Sequence, residues 1–248
     1  MIIDESNGLT KAPHNKAIIS VIIVTYNAAA TLQQCLNSIF TQTYKAIEII
    51  IIDGASTDRT KAILQENAQH ISFWKSEPDK GIYDAMNKAL KHVHGNWVYF
   101  LGADDELRPE FSDIIPQLND PTAIYYANVF SNGAKRIGLL NKYQFAKAGP
   151  YHQAMIYPAS VFNKHKFDLR YKISADFALT LKLYGYNDFH FVYKDYIIAN
   201  FNHTGVSGTQ IDVPFQKDKA RLIYENFGLK IWLRYMIRKL KSPNNPRA

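Results

Sequence analysis

Ile18 to Thr25 (IISVIIVT) and Ile47 to Ile52 (IEIIII) are two nearly unbroken runs of aliphatic, mostly β-branched residues. Alternating strands of a half-exposed sheet do not read this way. Strands covered on both faces do, and those belong to parallel sheets with helices above and below. The interval between the runs fits: Leu32, Cys35, Leu36 and Ile39 recur at helical spacing behind Thr31, a helix-capping residue type. The pattern continues. Asp58 precedes a helix carrying Ala62, Ile63 and Leu64, and Ile71–Trp74 reads as a short third strand. Ile82–Val93 reads as a helix, Trp97–Leu101 as a fourth strand and Ala123–Ala127 as a fifth. Strand alternating with helix over residues 18–129 predicts an α/β fold with a mostly parallel central sheet flanked by helices. Beyond it, Ser174–Tyr184 reads as a helix, Phe189–Asn200 as strand material broken at Lys194-Asp195, and Pro214 onward as basic helix.

In such sheets ligands bind beyond the carboxyl ends of the strands. Polar residues gather there: Tyr26 and Asn27 after the first strand, Asp53 after the second, Asp104, Asp105 and Glu106 after the fourth. Adjacent carboxylates behind a core strand repel one another unless something positive sits between them, in a chain whose net charge is already +7. No G-x-G-x-x-G follows the first strand and no G-x-x-x-x-G-K-[ST] occurs, which argues against a dinucleotide site and excludes a P-loop. A divalent cation on the strand-end carboxylates would meet phosphate charge instead, and oxygen ligands suit Mg²⁺ or Mn²⁺.

Five segments in order, SVIIVTYNAAATLQQCLNSIFTQTY, EIIIIDGASTDRT, SEPDKGIYDAMNKAL, WVYFLGADDELRP and ISADFALTLKLY, carry a resemblance. They resemble the inverting family 2 glycosyltransferases of GT-A fold, nearest to enzymes of bacterial O-antigen, capsule and exopolysaccharide synthesis. The resemblance implies a nucleotide-diphospho-sugar donor, UDP-linked by family habit, an Mg²⁺ or Mn²⁺ ion, and a hexosyl transfer with inversion. It implies that Thr25, Tyr26 and Asn27 line the base and ribose pocket and that Asp53 binds the base. Asp79 and Lys80 would lie beside the donor, Asp105 would bind metal, and Asp104 ribose or metal. Asp176 would be the base that deprotonates the acceptor hydroxyl. His152 and His203 are candidates for acceptor or diphosphate contacts. Many relatives have an aspartate where this chain has Gly102, so only the adjacent pair remains of the usual D-x-D.

The single cysteine, Cys35, falls on the apolar face of its helix and reads as core. It forms no intramolecular disulfide, which suits a reducing compartment. Residues 1–16 lack the apolar stretch of a signal peptide, and no apolar run approaches the roughly 20 residues of a spanning helix. From Lys217 to Lys241 there are eight Lys or Arg against two acidic residues. Lys230, Arg234, Arg238 and Lys241 form one stripe, with Trp232, Leu233, Met236, Ile237 and Leu240 on another. A basic amphipathic helix with a tryptophan suits an anionic membrane surface. No nucleic-acid recognition motif is visible. The expected organisation is a GT-A domain over 16–212, basic amphipathic helices over 213–241, and flexible ends at 1–15 and 242–248. The expected setting is cytoplasmic, peripheral on the inner face of the plasma membrane, with a glycan acceptor on polyprenyl diphosphate. Two rivals share the nucleotide chemistry: a sugar nucleotidyltransferase, for which the glycine-rich loop is missing, and a binder of nucleotide-sugars without catalysis.

Overall fold

The computed structural model describes residues 18–202 and 210–241. Its first half is β1 (Ile19–Thr25), α1 (Leu32–Phe40), β2 (Ile47–Asp53), α2 (Thr60–Glu66), β3 (Phe73–Ser76), α3 (Ile82–Ala89) and β4 (Trp97–Gly102). These four strands lie in the order β3-β2-β1-β4, all parallel. Val21, Ile23, Ile49, Ile51, Tyr99 and Leu101 face α1 and pack on Leu32, Cys35, Leu36 and Ile39. Ile22, Ile50, Ile52, Val98 and Phe100 pack into the core on the opposite face. Both faces are therefore covered, as the aliphatic runs require, and each fully buried Ile or Leu is worth roughly 1.5–3 kcal/mol. The third strand begins two residues later than its apolar run, because pairing with β2 starts at Ile50 opposite Phe73.

The second half adds β5 (Glu106–Leu107), α4 (Glu110–Ile114), β6 (Ala123–Ser131), β7 (Ala134–Arg136), α5 (Lys142–Lys147), β8 (Met155–Pro158), α6 (Val161–Lys164), α7 (Ala175–Gly185) and β9 (His190–Asn200). Here the sheet turns mixed. Strand β8 runs antiparallel to β4 and β6, β9 parallel to β6, and β5 antiparallel to β9. The break expected at Lys194-Asp195 is a bulge within one strand: Tyr126 pairs with Tyr193, but Asn128 already pairs with Ile197. The Asn128 side-chain amide fills the gap, donating to Asp195 Oδ1 and the Tyr196 carbonyl, each at 3.0 Å.

Helices α8 (Val213–Phe227) and α9 (Leu229–Lys241) follow, separated by Gly228 at φ 82°. Asp212 caps α8 through Phe215 N–H at 3.1 Å, and its other oxygen accepts from Ile173 and Ser174 N–H at 2.8 and 3.1 Å. One buried side chain thus fixes both α8 and the approach to α7. Phe215, Leu222, Ile223, Phe227 and Tyr235 join the same core as α7. In α9 only Tyr235 is fully covered. Leu229, Leu233, Ile237 and Leu240 are 57%, 46%, 54% and 76% exposed, so the apolar arc is wider than the domain covers. Among the described residues no helix is long and apolar enough to cross a membrane.

Candidate active site

Register brings the first residues together. Thr25 pairs with Asp53 across β1–β2, and Val24 pairs with Gly102 across β1–β4. Three strand ends therefore open at one level, neighbours roughly 5 Å apart. Asp53 is fully buried there. Its Oδ1 accepts from Thr25 Oγ1 (2.9 Å) and Ser56 Oγ (2.5 Å), and its Oδ2 from Ser56 N–H (3.0 Å) and Ser76 Oγ (2.6 Å). Burial opposes its charge, but the hydrogen bonds from Ser56, Ser76 and Thr25 outweigh it and hold the carboxyl below its usual range. Four donors fill the capacity of a carboxylate. Asp53 thereby ties the ends of β1, β2 and β3 together.

The β1–α1 loop is stitched to the β2–α2 loop in the same way. Asn27, at φ 50°, donates its N–H to Ser56 Oγ (2.8 Å) and accepts from Thr57 N–H (2.9 Å). Ala28 and Ala29 N–H reach Thr60 Oγ1 and Asp58 Oδ2. The Tyr26 ring is 69% exposed at the rim. Asp79 lies against Gly54, where an added Cβ would meet its Oδ2 at 2.5 Å. Asp79 Oδ1 accepts from Gly81 N–H at 2.7 Å, shaping the turn into α3. The Lys80 backbone is held from both sides, its N–H by Asp84 (3.0 Å) and its carbonyl by Lys172 Nζ (3.1 Å), while its side chain is exposed.

At the end of β4 the two carboxylates fold back over Gly102. A Cβ there would collide with Asp105 Oδ2 and crowd Asp104 Oδ1 at 3.0 Å. The glycine that departs from D-x-D is thus what lets the adjacent pair converge. Asp105 is 2% exposed. Its Oδ1 accepts from Asn202 N–H at 2.8 Å, and its Oδ2 is buried without a hydrogen-bond partner. Burial pushes the Asp105 carboxyl up to about 7; the Asn202 bond and the neighbouring Gln153 side chain oppose this, and the charge of Asp104 adds to it. Asp104, half-buried, is raised by burial too. Glu106 turns away, accepting from Gln34 at 2.7 Å. Cys35 lies beneath, its Sγ 3.4 Å from the Gly102 carbonyl oxygen.

Asp176 lies in the first turn of α7. Its Oδ1 lies 2.7 Å from the Tyr83 hydroxyl, which is also 2.8 Å from the Ile173 carbonyl and donates to one of the two. Burial and the charge of Asp176 raise the Tyr83 hydroxyl well above its usual range, so it remains a neutral donor. His152 is near enough to feel the charge of Asp176. It stacks on Phe100 (4.7 Å between centroids), its Nε2 is buried without a partner, and burial lowers its pKa. His203 lies outside the described residues. Tyr83, Gln153 and Asp212 escaped the sequence reading. Tyr83 sits on the apolar face of an amphipathic helix, where a tyrosine looks like core, and Gln153 has no pattern to mark it.

An orphaned carboxylate oxygen beside a second carboxylate fits a hard divalent cation. Among the described residues no three His, Cys, Asp or Glu converge to hold an ion unaided. That suits Mg²⁺ or Mn²⁺, which bind through one or two carboxylates plus substrate phosphates.

A sheet whose strand ends gather carboxylates in this way defines an α/β protein with a ligand site at its carboxyl edge, and sequence comparison specifies the class. The family described as "Glycosyl transferase family 2" matches residues 20–189, and the chain belongs to that family. It is a glycosyltransferase. A PGL/p-HBAD biosynthesis glycosyltransferase of Mycobacterium bovis is 32% identical over 213 residues, 80% of this chain and 82% of the relative. The structure of S. aureus TarS 1-349 in complex with UDP-GlcNAc is similar at TM-score 0.73 and 18% identity, over 92% of this chain and 74% of that one. Mannosyltransferase PcManGT from Pyrobaculum calidifontis, solved with GDP-Man and Mn²⁺, is similar at TM-score 0.63 and 17% identity, over 91% and 66%. The fold is GT-A.

Proposed function

We propose that the chain moves a sugar, with inversion, from a nucleoside-diphospho-sugar to a hydroxyl of a lipid-linked or oligosaccharide acceptor in bacterial surface polysaccharide synthesis. The observation that carries this reading is the buried, unpartnered Oδ2 of Asp105 beside Asp104, at the strand ends where a donor diphosphate would lie. Asp105, with Asp104, would hold Mg²⁺ or Mn²⁺, which when bound neutralises charge on the leaving diphosphate. Tyr26, Asn27 and the loop tied down by Asp53 would surround the base and ribose. Asp79 and Lys80 would border the donor sugar.

Asp176 is the proposed base. With Oδ1 beside the Tyr83 hydroxyl, its other oxygen is left to accept the acceptor proton as the acceptor oxygen attacks C1 from the face opposite the leaving nucleotide. A positioned carboxylate contributes roughly 10²–10⁴-fold. The neutral imidazole of His152 is proposed to line the acceptor side. Two proteins of similar fold support the donor class: TarS was solved in complex with UDP-GlcNAc, and PcManGT in complex with GDP-Man and Mn²⁺. UDP is the proposed nucleotide for this chain.

We also propose that α9 rests on an anionic bilayer at the cytoplasmic face. Its exposed Leu229, Leu233, Ile237 and Leu240 run beside Lys230, Arg234, Arg238 and Lys241, and the helix has no acidic residue. Each such cation near an anionic surface is worth about 1 kcal/mol.

The test is a thermal-shift panel of UDP-, GDP-, dTDP- and CMP-sugars with and without Mn²⁺, on wild type and Asp105→Ala, followed by NMR assignment of the product anomer. Stabilisation by one nucleotide class that needs both Mn²⁺ and Asp105, with an inverted product, is the expected outcome. Retained configuration, or a response indifferent to Asp105, overturns the reading.

A further inference from the structure

Lys219, in the second turn of α8, is 4% exposed. Its ammonium lies 5.3 Å from the Phe177 ring centroid and 5.5 Å from that of Tyr235. Among the described residues it pairs with no carboxylate. Two residues on the elements packed around it carry charge of its own sign: Lys147 at the end of α5 and Lys239 on α9 both oppose its protonation. Neither of these pairs with a carboxylate among the described residues. The Tyr143 hydroxyl, in the adjoining wall of α5, is buried without a hydrogen-bond partner. Its ring lies under the Arg234 guanidinium at 4.0 Å.

Packing rewards this arrangement only in part. A buried ammonium without a counter-ion costs stability, and two more cations beside it add to the cost. The nearest acidic residue in sequence, Asp218, is taken by Tyr171 (2.6 Å) and Arg221 (3.3 Å). The two aromatic rings give the cation some compensation, but less than an anion would.

We propose that Lys147, Lys219 and Lys239, with the Tyr143 hydroxyl, bind the phosphate or diphosphate group of a lipid at the junction of α5, α8 and α9. The lipid nature follows from α9 itself. The helix that supplies Lys239 and Tyr235 also carries the uncovered stripe ending at Leu240, so head group and chain meet one element. Phe177, a wall of the junction, is the residue after Asp176, and Gly149 (φ 62°) closes against the Phe177 ring, where a Cβ would stand 3.0 Å away. The junction thus adjoins the segment carrying His152 and Gln153 and lies on the acceptor side of the proposed base. The lipid phosphate could come from bilayer phospholipids or from a polyprenyl-linked acceptor. Only that second source rests on the acceptor reading above.

The experiment is co-sedimentation of the full chain with vesicles of phosphatidylcholine alone, with added phosphatidylglycerol, or with added polyprenyl phosphate, with inorganic pyrophosphate as competitor. Wild type is compared with Lys219→Met and with the Lys147→Met/Lys239→Met pair, whose positions are less covered. Lys219→Met is expected to weaken retention on phosphate-bearing vesicles about tenfold, the loss of one charge-assisted contact, and to raise the melting temperature. A structural lysine would give the reverse temperature shift. Pyrophosphate displaces wild type and has little effect on Lys219→Met. Preference for polyprenyl phosphate assigns the site to the acceptor, and equal retention on both lipids assigns it to the bilayer. Retention that ignores Lys219, or a variant that loses both stability and binding, overturns the proposal. The donor thermal shift of Lys219→Met, measured in parallel, is expected to match wild type, so failure here and failure of the transferase reading are separable.

Discussion

Asp105 and Lys219 are buried charged side chains that the described residues leave without a partner of opposite sign, and they sit in different places for one reason. Among the described residues, Asp105 buries an oxygen within hydrogen-bond distance of no donor, and Lys219 is buried with no carboxylate to answer its ammonium. Each costs stability and gains only if a ligand of opposite sign arrives. Asp105→Asn is therefore expected to raise the melting temperature of the metal-free protein while abolishing its Mn²⁺-dependent response to donor; a differential scan with and without EDTA measures both. Lys219 gives a pH signature. Burial, and then the charges of Lys147 and Lys239, lower its pKa from 10.5 to about 8 in the fold. Between those values the unfolded chain binds the proton and the folded chain does not, so stability rises with pH across that window. The rise is on the order of 3 kcal/mol. Denaturant titrations at several pH values should show it in wild type and lose it in Lys219→Met.

At the scale of elements, the site depends on how helix starts are held. Helix α7 presents Asp176 because Asp212 bonds the two N–H groups just before it, and because Tyr83 on α3 meets the carboxylate. Asp176→Asn is expected to lower kcat by roughly 10²–10⁴ with donor binding retained, the signature of a lost general base. Tyr83→Phe leaves the carboxylate but frees its orientation, and a smaller loss in kcat with donor KM unchanged is expected. Steady-state kinetics on the pair, with donor thermal shifts as the binding control, check both. Gly102→Ala is expected to fail differently. Its Cβ would drive the Asp104 and Asp105 carboxylates apart, so the Mn²⁺-dependent shift falls while Asp176 and its Tyr83 contact stay intact.

Across the whole molecule, α9 has a face turned inward and another left bare. Tyr235 anchors it to the core while four apolar residues stay uncovered beside a basic stripe. Leu233→Ser with Ile237→Ser is expected to weaken binding to anionic vesicles and leave turnover on a soluble acceptor unchanged. Vesicle binding should also fall with salt, since surface charges are screened beyond about 8 Å at physiological ionic strength.

The parallel half of the sheet was legible in the residues themselves. IISVIIVT and IEIIII can be buried only on both faces, so periodicity alone specifies β1, β2 and the helices over them. Strand-end logic then located Asp53, Asp104 and Asp105, because ligands of such sheets meet the carboxyl edge whatever the detail. The family motifs marked Asp176. The mixed half was not legible in this way: β8 is four residues long, and its place between β4 and β6 comes from pairing partners far away in sequence. Nor could sequence reveal that Gly102 makes room for two carboxylates, that Tyr83 meets Asp176, or that Lys219 is buried between the rings of Phe177 and Tyr235. Periodicity is a property of neighbours along the chain. The burial of a charge and the absence of its partner depend on contacts between distant segments, and only the folded molecule decides those.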